Sequence, residues 1–475
     1  MRVLENVEPR RVMFYFEELT RIPHESGNEK EISDYLFNFA KGHELDVVQD
    51  KALNIIIRKP ASKGYENRDA IILQGHMDMV CAKEKDSTFD FDNDALDILI
   101  DEDFIKARGT TLGADNGIAV AMALALLEDQ DAVHPPLEVL FTTEEETGMG
   151  GASSVVGSLF AGKILINIDS EEEGEFCVSC AGGVRVKFSQ PFELVENKYG
   201  KSYEIEISGL TGGHSGMEIN KGRANAIKLL GRVLSHLRGD IGVTRLEGGE
   251  KMNAIAKRAK AIISSNIDLT SEIEELKEQF KIEFRNADQN LEISINEIEK
   301  EKYMMDDSSQ SKLTNVMLVM VNGVQAMSSD IEGLVESSTN IGVLSTVENE
   351  VVFESAARSS VDSLKREIIG RLKGLADLSG GKVVLESDYP EWTFNPDSKI
   401  REIMKDVYKK MYGDEAKIMA IHAGLECGIL KRQIGDIDMI SFGPNMWDVH
   451  TPDEHVSISS IQRSYEFLKE VLKNI

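Results

Sequence analysis

The stretch AIILQGHMDMV at residues 70–80 joins an apolar strand to a histidine and an aspartate at its end. Ala70 to Gln74 have the apolar character of a buried strand, and His76 and Asp78 follow. Because side chains alternate across an extended chain, His76 and Asp78 would point to the same face. His76 is then a candidate metal ligand, and Asp78 could accept the proton of its other ring nitrogen. Alone, such a pair is more often structural, so its meaning depends on the other segments.

Further apolar strands surround this stretch and predict an α/β sheet. Short apolar runs alternate with helical stretches from residue 52 to about 185, which is the pattern of a sheet covered by helices. An alanine- and leucine-rich helix is predicted over 117–128. The predicted strands are Leu53 to Arg58, Ala70 to Gln74, Leu137 to Thr142 and Lys163 to Ile168. Acidic or imidazole side chains follow several of them, where an open α/β sheet places its ligand crevice.

The character of the sequence changes near residue 186 and changes back after Asp388. Alternating strands and amphipathic helices between these points indicate split βαβ units of the ferredoxin-like kind, with one antiparallel sheet backed by helices. The predicted helices are 221–238, 270–284, 310–326 and 362–377, and the predicted strands are 203–209, 260–267, 291–298, 337–345, 350–356 and 382–387. We therefore expect a discontinuous α/β domain, 1–185 and 388–475, with an α+β domain, 186–387, inserted in it.

The composition is that of a globular protein with an acidic surface. The 475 residues include 82 acidic and 53 basic side chains, and the formal charge of -29 would repel a nucleic-acid backbone. The longest strongly apolar run, Ile118 to Leu127, is far shorter than the roughly 20 residues that span a bilayer. The N-terminal residues lack the pattern of a signal peptide, and four cysteines suit a reducing compartment. We expect a cytoplasmic protein without nucleic-acid or membrane partners, in which the C-x-x-C pair Cys177 and Cys180 are ordinary buried thiols.

Asp115 lies in the glycine-rich segment GTTLGADNG, residues 109–117, immediately before the predicted helix. An aspartate at this place is commonly an N-cap, and for Asp115 in isolation that interpretation is favoured. A carboxylate near the amide groups of a helix start is also placed to bridge two cations with its two oxygens.

Three consecutive carboxylates, Glu144, Glu145 and Glu146, follow the predicted strand 137–142. Such a run usually serves solvation only, but the flanking Thr-Gly and Met-Gly-Gly-Ala indicate a tight turn. If Glu146 binds a metal ion, Glu145 points elsewhere and is free to act as a general base.

Two more candidate ligands follow later strands. Asp169 ends the strand ILINID, whereas the acidic run 171–173 after it has the character of surface charge. His450 lies in the loop DVHTPDEH, after the last apolar strand, and would complete a second metal site. His455 in the same loop is the rival candidate.

Taken in order, these segments resemble the di-zinc aminoacylase and carboxypeptidase-type metallopeptidases, and within them the bacterial dipeptidases. The resemblance spans nearly the whole chain. It rests on GHMDMV, ARGTTLGADNGIA, PLEVLFTTEEETGMGGA, NIDSEEEGE, CAGG, SGLTGGHSGMEINKGRANAI, HAGLECGI and GPNMWDVHTPDEHVSI. GHMDMV alone is modest support, whereas all the segments in order are specific.

The resemblance implies a site for two zinc ions, with cobalt or manganese as substitutes. The implied ligands of one ion are His76, Asp115 and Asp169, and those of the other are Asp115, Glu146 and His450. Glu145 is implied as the general base and Asp78 as the partner of His76. In the inserted domain, His214 of GGHSG would stabilise the oxyanion. The residues implied to hold the carbonyl or carboxylate of the substrate are Asn253, Arg358 and Gly424, although local structural roles for Asn253 and Arg358 are equally open.

The implied activity is hydrolysis of dipeptides, Xaa-His and others, by a water molecule that bridges two zinc ions, gives a proton to Glu145 and attacks as hydroxide. The inserted domain would close on a short peptide as a lid and would form the interface of a homodimer. A tripeptidase or an N-acyl-amino-acid amidohydrolase with the same metal site is the alternative. A peptide-binding protein without activity is a remote alternative, which the intact Glu145 disfavours.

Overall fold

A computed structural model describes residues 2–475 of the chain. The α-helices are α1 (Arg10–Leu19), α2 (Lys30–Gly42), α3 (Ala114–Glu128), α4 (Glu145–Gly148), α5 (Gly150–Ser154), α6 (Ala226–His236), α7 (Thr270–Glu283), α8 (Asp307–Val319), α9 (Asp362–Ser379), α10 (Lys399–Tyr412), α11 (Glu426–Ile434) and α12 (Ile458–Asn474). Within residues 2–475, none of them is long and apolar enough to cross a membrane.

The strands follow the same order along the chain. They are β1 (Asp46–Gln49), β2 (Ile55–Lys59), β3 (Ile71–His76), β4 (Ile98–Asp101), β5 (Phe104–Ala107), β6 (Leu137–Thr142), β7 (Ile164–Asn167), β8 (Glu175–Cys180), β9 (Gly182–Pro191), β10 (Leu194–Glu196), β11 (Lys201–Ser208), β12 (Ile241–Gly248), β13 (Ala259–Ser265), β14 (Glu292–Ile298), β15 (Tyr303–Met305), β16 (Gly323–Met327), β17 (Val335–Val347), β18 (Glu350–Ser359), β19 (Lys382–Tyr389), β20 (Lys417–Ile421), β21 (Asp438–Ser441), β22 (Met446–Trp447) and β23 (His455–Ser457).

Contacts between residues divide the chain into two compact units. The first unit runs up to Ser179 and resumes over Phe394–Ala420 and Leu425–Ile475. The second unit comprises Cys180–Thr393 and Ile421–Gly424. The expected domains, 1–185 with 388–475 and 186–387, stay a prediction. The expected boundary at residue 185 falls inside strand β9.

An eight-stranded sheet forms the centre of the first unit, in the order β1-β2-β6-β3-β7-β21-β8-β20. Strands β6, β3, β7 and β21 run parallel to one another, and β1 and β2 are antiparallel at one edge. Every position of β3 and β6 is buried, because parallel strands are covered on both faces, and this explains their continuous apolar sequences. The mixed sheet confirms the predicted α/β fold class.

The parallel strands bring the candidate ligands to one edge of this sheet. β3 ends at His76, β6 ends at Thr142 and β7 ends at Asn167. The carboxyl ends of parallel neighbours lie at the same edge, so the segments that follow these strands leave the sheet side by side. A smaller antiparallel sheet in the same unit, β22-β23-β5-β4, carries the segment on either side of His450.

The second unit contains a nine-stranded antiparallel sheet. Its order is β14-β11-β13-β12-β17-β18-β9-β19, and β16 pairs with β17. Apolar side chains from the sheet and from helices α6 to α9 form one buried core, which includes Leu230, Phe280, Leu313, Phe353 and Ile368. One antiparallel sheet backed by helices is the arrangement that the alternation of the sequence predicts.

Two predicted helices have different bounds in the structure. The prediction of a helix over 310–326 is wrong at its end, because α8 stops at Val319 and residues 323–327 form strand β16 against β17. The prediction of a helix over 221–238 is wrong at its start. Gly222 has a φ of 69°, and the side chain of Asn225 caps α6 by accepting hydrogen bonds from the N–H groups of Ile227 and Lys228.

Candidate metal centre and active site

His76 and Asp78 form a buried pair at the end of β3. Nδ1 of His76 lies 3.0 Å from the main-chain oxygen of Asp78 and 3.4 Å from its carboxylate Oδ1. With its proton donated from Nδ1, the neutral ring has Nε2 available as a ligand atom. The Asp78 carboxylate also accepts hydrogen bonds from the hydroxyl of Ser26 at 2.7 Å and from the N–H groups of Glu145 and Glu146 at 3.1 and 3.2 Å. Asp78 therefore fixes both the histidine and the start of α4.

Asp115 lies between two histidines from distant parts of the sequence. Its Oδ1 is 3.1 Å from Nε2 of His76, and its Oδ2 is 3.0 Å from Nε2 of His450. The backbone of Asp115 is not helical, with φ −82° and ψ 103°, and Gly113 is the N-cap residue of α3. The two carboxylate oxygens thus face histidines, which is the orientation that a bridging ligand needs.

The remaining candidate ligands surround the same carboxylate. Nε2 of His450 is 2.9 Å from Oε1 of Glu146, and Nε2 of His76 is 3.5 Å from Oδ1 of Asp169. One ligand atom each from His76, Asp115 and Glu146 lie within 4.8 Å of one another. The structure therefore brings together all five residues that the sequence singled out as metal ligands.

His455, the rival of His450, has other contacts. Its ring stacks on Trp447 with centroids 5.3 Å apart, and its Nδ1 lies 2.8 Å from the main-chain oxygen of Asp453. His450 has a φ of 66°, an uncommon conformation for a residue other than glycine, and this backbone directs its ring toward Asp115.

The cluster carries an excess of negative charge. Burial, together with the charges of Asp169, Glu426 and Glu146, raises the pKa of Glu145 to about 9. Burial, together with Asp115 and Glu146, raises the pKa of Asp169 to about 6. Carboxyl groups whose pKa values are raised by neighbouring negative charge indicate a site that accommodates positive charge.

The histidines respond to the same carboxylates in the opposite sense. Hydrogen bonds to Asp115 and Glu146 raise the pKa of His450 to about 10. Burial acts against a charged ring at His76, but the charge of Asp169 and its hydrogen bonds raise the pKa of His76 well above its usual value. The carboxylates therefore favour positive charge at the ring nitrogens that face them, and the donor set of imidazole nitrogens and carboxylate oxygens suits a divalent metal ion that takes the place of those protons.

The segment 143–149 is a tight turn held from outside. Glu144 and Met149, which flank α4, have φ values of 53° and 60°. The buried carboxylate of Glu29 accepts a hydrogen bond from the N–H group of Glu144 at 3.0 Å. Together with Asp78, Glu29 fixes the backbone from which Glu145 and Glu146 project. The hydrogen bonds of Glu29 and Asp78 to this backbone were not predicted from the sequence.

In the second unit, His214 has a defined tautomer. Its Nδ1 accepts hydrogen bonds from the N–H groups of Gly216 and Met217 at 3.2 and 3.1 Å. Burial, reinforced by the charge of Arg358, lowers the pKa of His214, so the neutral ring is favoured. The proton of that ring resides on Nε2, which makes His214 a hydrogen-bond donor at that atom.

Asn253 and Arg358 line a cavity of about 400 Å³ in the second unit. The other lining residues are Gly183, Val184, Arg185, Lys251, Met252, Ala356, Ala357 and Tyr389. Three of the lining side chains are cationic and none is anionic, so the cavity suits a carboxylate.

Gly424 lies beside this cavity without being one of its lining residues. A Cβ atom at Gly424 would be 2.7 Å from the ring of Tyr389, and one at Gly183 would collide with the Tyr389 hydroxyl. That hydroxyl accepts a hydrogen bond from Nη1 of Arg358 at 2.7 Å. Tyr389 is therefore a cavity residue that was not predicted from the sequence, and no signal in its local sequence distinguishes it.

Comparison with known proteins identifies the family of the chain. Residues 72–474 match Peptidase family M20/M25/M40. The cytosol non-specific dipeptidase of Escherichia coli strain K12 is 37% identical, over 100% of this chain and 99% of that protein. The structure of aminoacylhistidine dipeptidase from Vibrio alginolyticus superposes with a TM-score of 0.96 at 35% identity, covering 99% of this chain and 98% of that one. Aminopeptidase PepT from Bacillus cereus, at 16% identity and a TM-score of 0.58, shares the fold over 98% of this chain and 99% of that one. The chain therefore belongs to the peptidase family M20/M25/M40, which confirms the resemblance to metallopeptidases.

Proposed function

We propose that this protein is a dipeptidase that hydrolyses short peptides, Xaa-His dipeptides among them, with two zinc ions. The observation that carries the proposal is the orientation of Asp115, whose two oxygens lie 3.1 and 3.0 Å from ring nitrogens of His76 and His450. Support for the substrate class comes from two relatives named above that are called dipeptidases, because this chain is similar to both over nearly its full length.

The distances between ligand atoms fit such ions. Zinc bound to nitrogen and oxygen at about 2.0–2.1 Å in a tetrahedron places neighbouring ligand atoms about 3.3 Å apart. The contacts of His76 with Asp115 and Asp169 measure 3.1 and 3.5 Å. The contacts of His450 with Asp115 and Glu146 measure 3.0 and 2.9 Å. We therefore assign one ion to each histidine, with Asp115 shared, and oxygen-rich ligation of this kind also accepts cobalt or manganese.

Bound metal ions would lower the pKa of a water molecule and stabilise negative charge on a substrate oxygen. Glu145 is assigned as the general base, because it adjoins the ligand Glu146 without being needed as a ligand. The positive charge of bound metal ions would act against the burial that raises the pKa of Glu145 to about 9, and the ionised carboxylate could then take up a proton from water and deliver it to the leaving amine.

The second unit is assigned to substrate recognition. His214 would donate its Nε2 proton to the carbonyl oxygen as negative charge develops there. Asn253 and Arg358 would hold the carboxylate of a dipeptide in their cavity, and a backbone contact from Gly424 stays a prediction. The same proposal gives this unit two further roles: it would act as a lid that selects short peptides, and it would form the interface of a homodimer. It also places the protein in the cytoplasm.

The test combines metal analysis with a substrate panel. The purified protein is stripped with a chelator, reloaded with zinc, and assayed with Xaa-His and other dipeptides, with tripeptides and with N-acyl amino acids. We expect two ions per chain and turnover of dipeptides at least tenfold faster than that of the other classes. Preferential turnover of tripeptides or N-acyl amino acids would replace the substrate assignment, and a fully loaded protein without hydrolysis of any of them would overturn the enzymatic one.

A further inference from the structure

Glu454 is a buried carboxylate, with 2% of the residue exposed, and it is held by four consecutive backbone amides. Its Oε2 accepts hydrogen bonds from the N–H groups of Leu112 and Gly113 at 2.7 and 3.1 Å. Its Oε1 accepts them from Ala114 and Asp115 at 2.8 and 3.3 Å. Both oxygens are thus engaged by main-chain donors, so Glu454 is unsuited to be a metal ligand itself.

These amides need an acceptor that their own segment does not provide. The first N–H groups of a helix have no partner within it, and Gly113, the N-cap residue of α3, has no side-chain oxygen. Gly113 has a φ of 70°, in the left-handed region. A left-handed residue next to residues of other conformations turns successive N–H groups toward one point. Glu454 supplies the negative charge at that point from more than 330 residues away in the sequence.

Glu454 also belongs to the loop that carries His450. The N–H group of Glu454 donates to the main-chain oxygen of Thr451 at 3.1 Å, and that of Thr451 donates to Asp448 at 3.2 Å. The residues from 448 to 454 therefore form a compact turn, with His450 at its centre. A movement of Glu454 relative to the turn before α3 would also move His450 relative to Asp115.

We propose that Glu454 is a positioning residue that sets the separation of Asp115 and His450 and thereby maintains the affinity of the second metal site. The inference rests on the proposed function, since it takes these two residues as ligands. The 3.0 Å contact between Nε2 of His450 and Oδ2 of Asp115 is the distance that Glu454 maintains. Outer partners of metal ligands typically contribute about 10–100-fold to metal affinity.

The experiment measures metal binding directly, by titrating chelator-stripped protein with zinc and following heat and stoichiometry. Glu454→Gln keeps the shape of the side chain but replaces one acceptor oxygen with an amide group that faces N–H donors. We expect the zinc affinity of the site at His450 to fall about 10–100-fold, so that one ion per chain remains at a zinc concentration that just saturates both sites of the wild type. Glu454→Asp keeps the charge but has a side chain shorter by one methylene group, so it should give an intermediate loss of zinc affinity. This variant replaces Glu454→Gln in the experiment if the glutamine variant does not fold.

Glu138→Gln is the matched control. Glu138 is also buried and accepts hydrogen bonds from loop amides, those of Ala161 and Gly162 at 2.9–3.0 Å, but it lies near the opposite end of β6 from the metal centre. Its replacement should lower thermal stability and leave both zinc affinities unchanged. Wild-type zinc affinity in folded Glu454→Gln or Glu454→Asp overturns the inference, whereas absence of zinc binding by the wild type overturns the proposed function.

Discussion

The carboxylate of Asp78 accepts a hydrogen bond from the backbone N–H group of Glu145 at 3.1 Å, so the partner of one proposed metal ligand also positions the proposed general base. The same aspartate lies against Nδ1 of His76, with its Oδ1 at 3.4 Å. Its side chain is completely buried. One buried group thus couples the geometry of the metal centre to that of the proton acceptor.

Replacing Asp78 with asparagine should impair both functions at once. The amide group would face the N–H groups of Glu145 or Glu146, and the negative charge beside His76 would be lost. We expect zinc affinity and kcat each to fall about 10–100-fold, measured by zinc titration and by dipeptide hydrolysis at saturating zinc. Ser26→Ala, which removes only a hydroxyl donor to the same carboxylate, should change both by less than about fivefold. An Asp78→Asn enzyme with wild-type kcat would show that Asp78 does not position Glu145.

Glu145→Gln should separate chemistry from metal binding. The glutamine cannot take up a proton from water, while the ligands of both proposed ions are unchanged. We expect two zinc ions per chain and a kcat reduced by about two to four orders of magnitude. The neighbouring Glu144 is exposed and serves as control, because Glu144→Gln should keep wild-type kcat. Turnover close to wild type in Glu145→Gln would exclude it as the general base.

The sequence was sufficient to predict the residues that follow the parallel strands. The strand predicted at Leu137 to Thr142 matches β6, and His76 and Asp169 lie where the apolar runs 70–74 and 163–168 end. These predictions succeed because a buried parallel strand has a continuous apolar sequence and its carboxyl end lies at a known edge of the sheet. The resemblance then supplied the pairing of the ligands, which strand patterns alone leave open.

Contacts that join distant segments could not be predicted in this way. The acceptor of the amides around the start of α3 is Glu454, and nothing in the sequence relates its position to theirs. Strands β9 and β12 were missed as well. The first begins at two glycines beside Tyr389, and the second follows the end of α6 at His236 without a strong apolar alternation. Their pairing depends on partners elsewhere in the sheet, because strand formation is decided largely by neighbouring strands.

Tyr389→Phe should weaken substrate binding more than it slows the reaction. The change removes the hydroxyl that accepts from Nη1 of Arg358, and Nε of Arg358 is buried without another hydrogen-bond partner among residues 2–475. A hydrogen bond of this kind contributes about 1–1.5 kcal/mol, so we expect KM for dipeptides to rise about 5–10-fold with kcat changed less than threefold. Tyr303, which is 45% exposed in the same unit, gives the control Tyr303→Phe, with unchanged kinetics.

Gly424→Ala tests the same contact from the other side. The new Cβ atom would lie 2.7 Å from the Tyr389 ring, so the ring would have to shift and its hydrogen bond with Arg358 would be disturbed. We expect a rise in KM similar to that of Tyr389→Phe, and the double variant should show little further change because both act through one contact. Fully additive effects would instead favour a separate backbone contact between Gly424 and the substrate, as the resemblance implies.

His422 should make the stability of the second unit depend on pH. Nε2 of His422 lies 2.7 Å from the hydroxyl of Ser338, and burial, with the charge of Arg358, lowers the pKa of His422 to about 4. In the unfolded chain the pKa of a histidine is about 6.5. Between about pH 6.5 and 4, His422 is therefore protonated in the unfolded state and neutral in the folded state. The free energy of unfolding should therefore fall as pH decreases through this interval, and the contribution of His422 is absent above it.

Urea unfolding of wild type and His422→Asn at pH 7.5 and 5.0 measures this contribution. Linkage predicts that the wild type loses about 2 kcal/mol more than the variant between the two pH values, because the variant has no proton to bind at this position. His236→Asn, at an exposed position on α6, is the control for the replacement of a histidine elsewhere in the second unit. An equal loss in wild type and His422→Asn would mean that His422 is protonated in the folded protein as readily as in the unfolded chain.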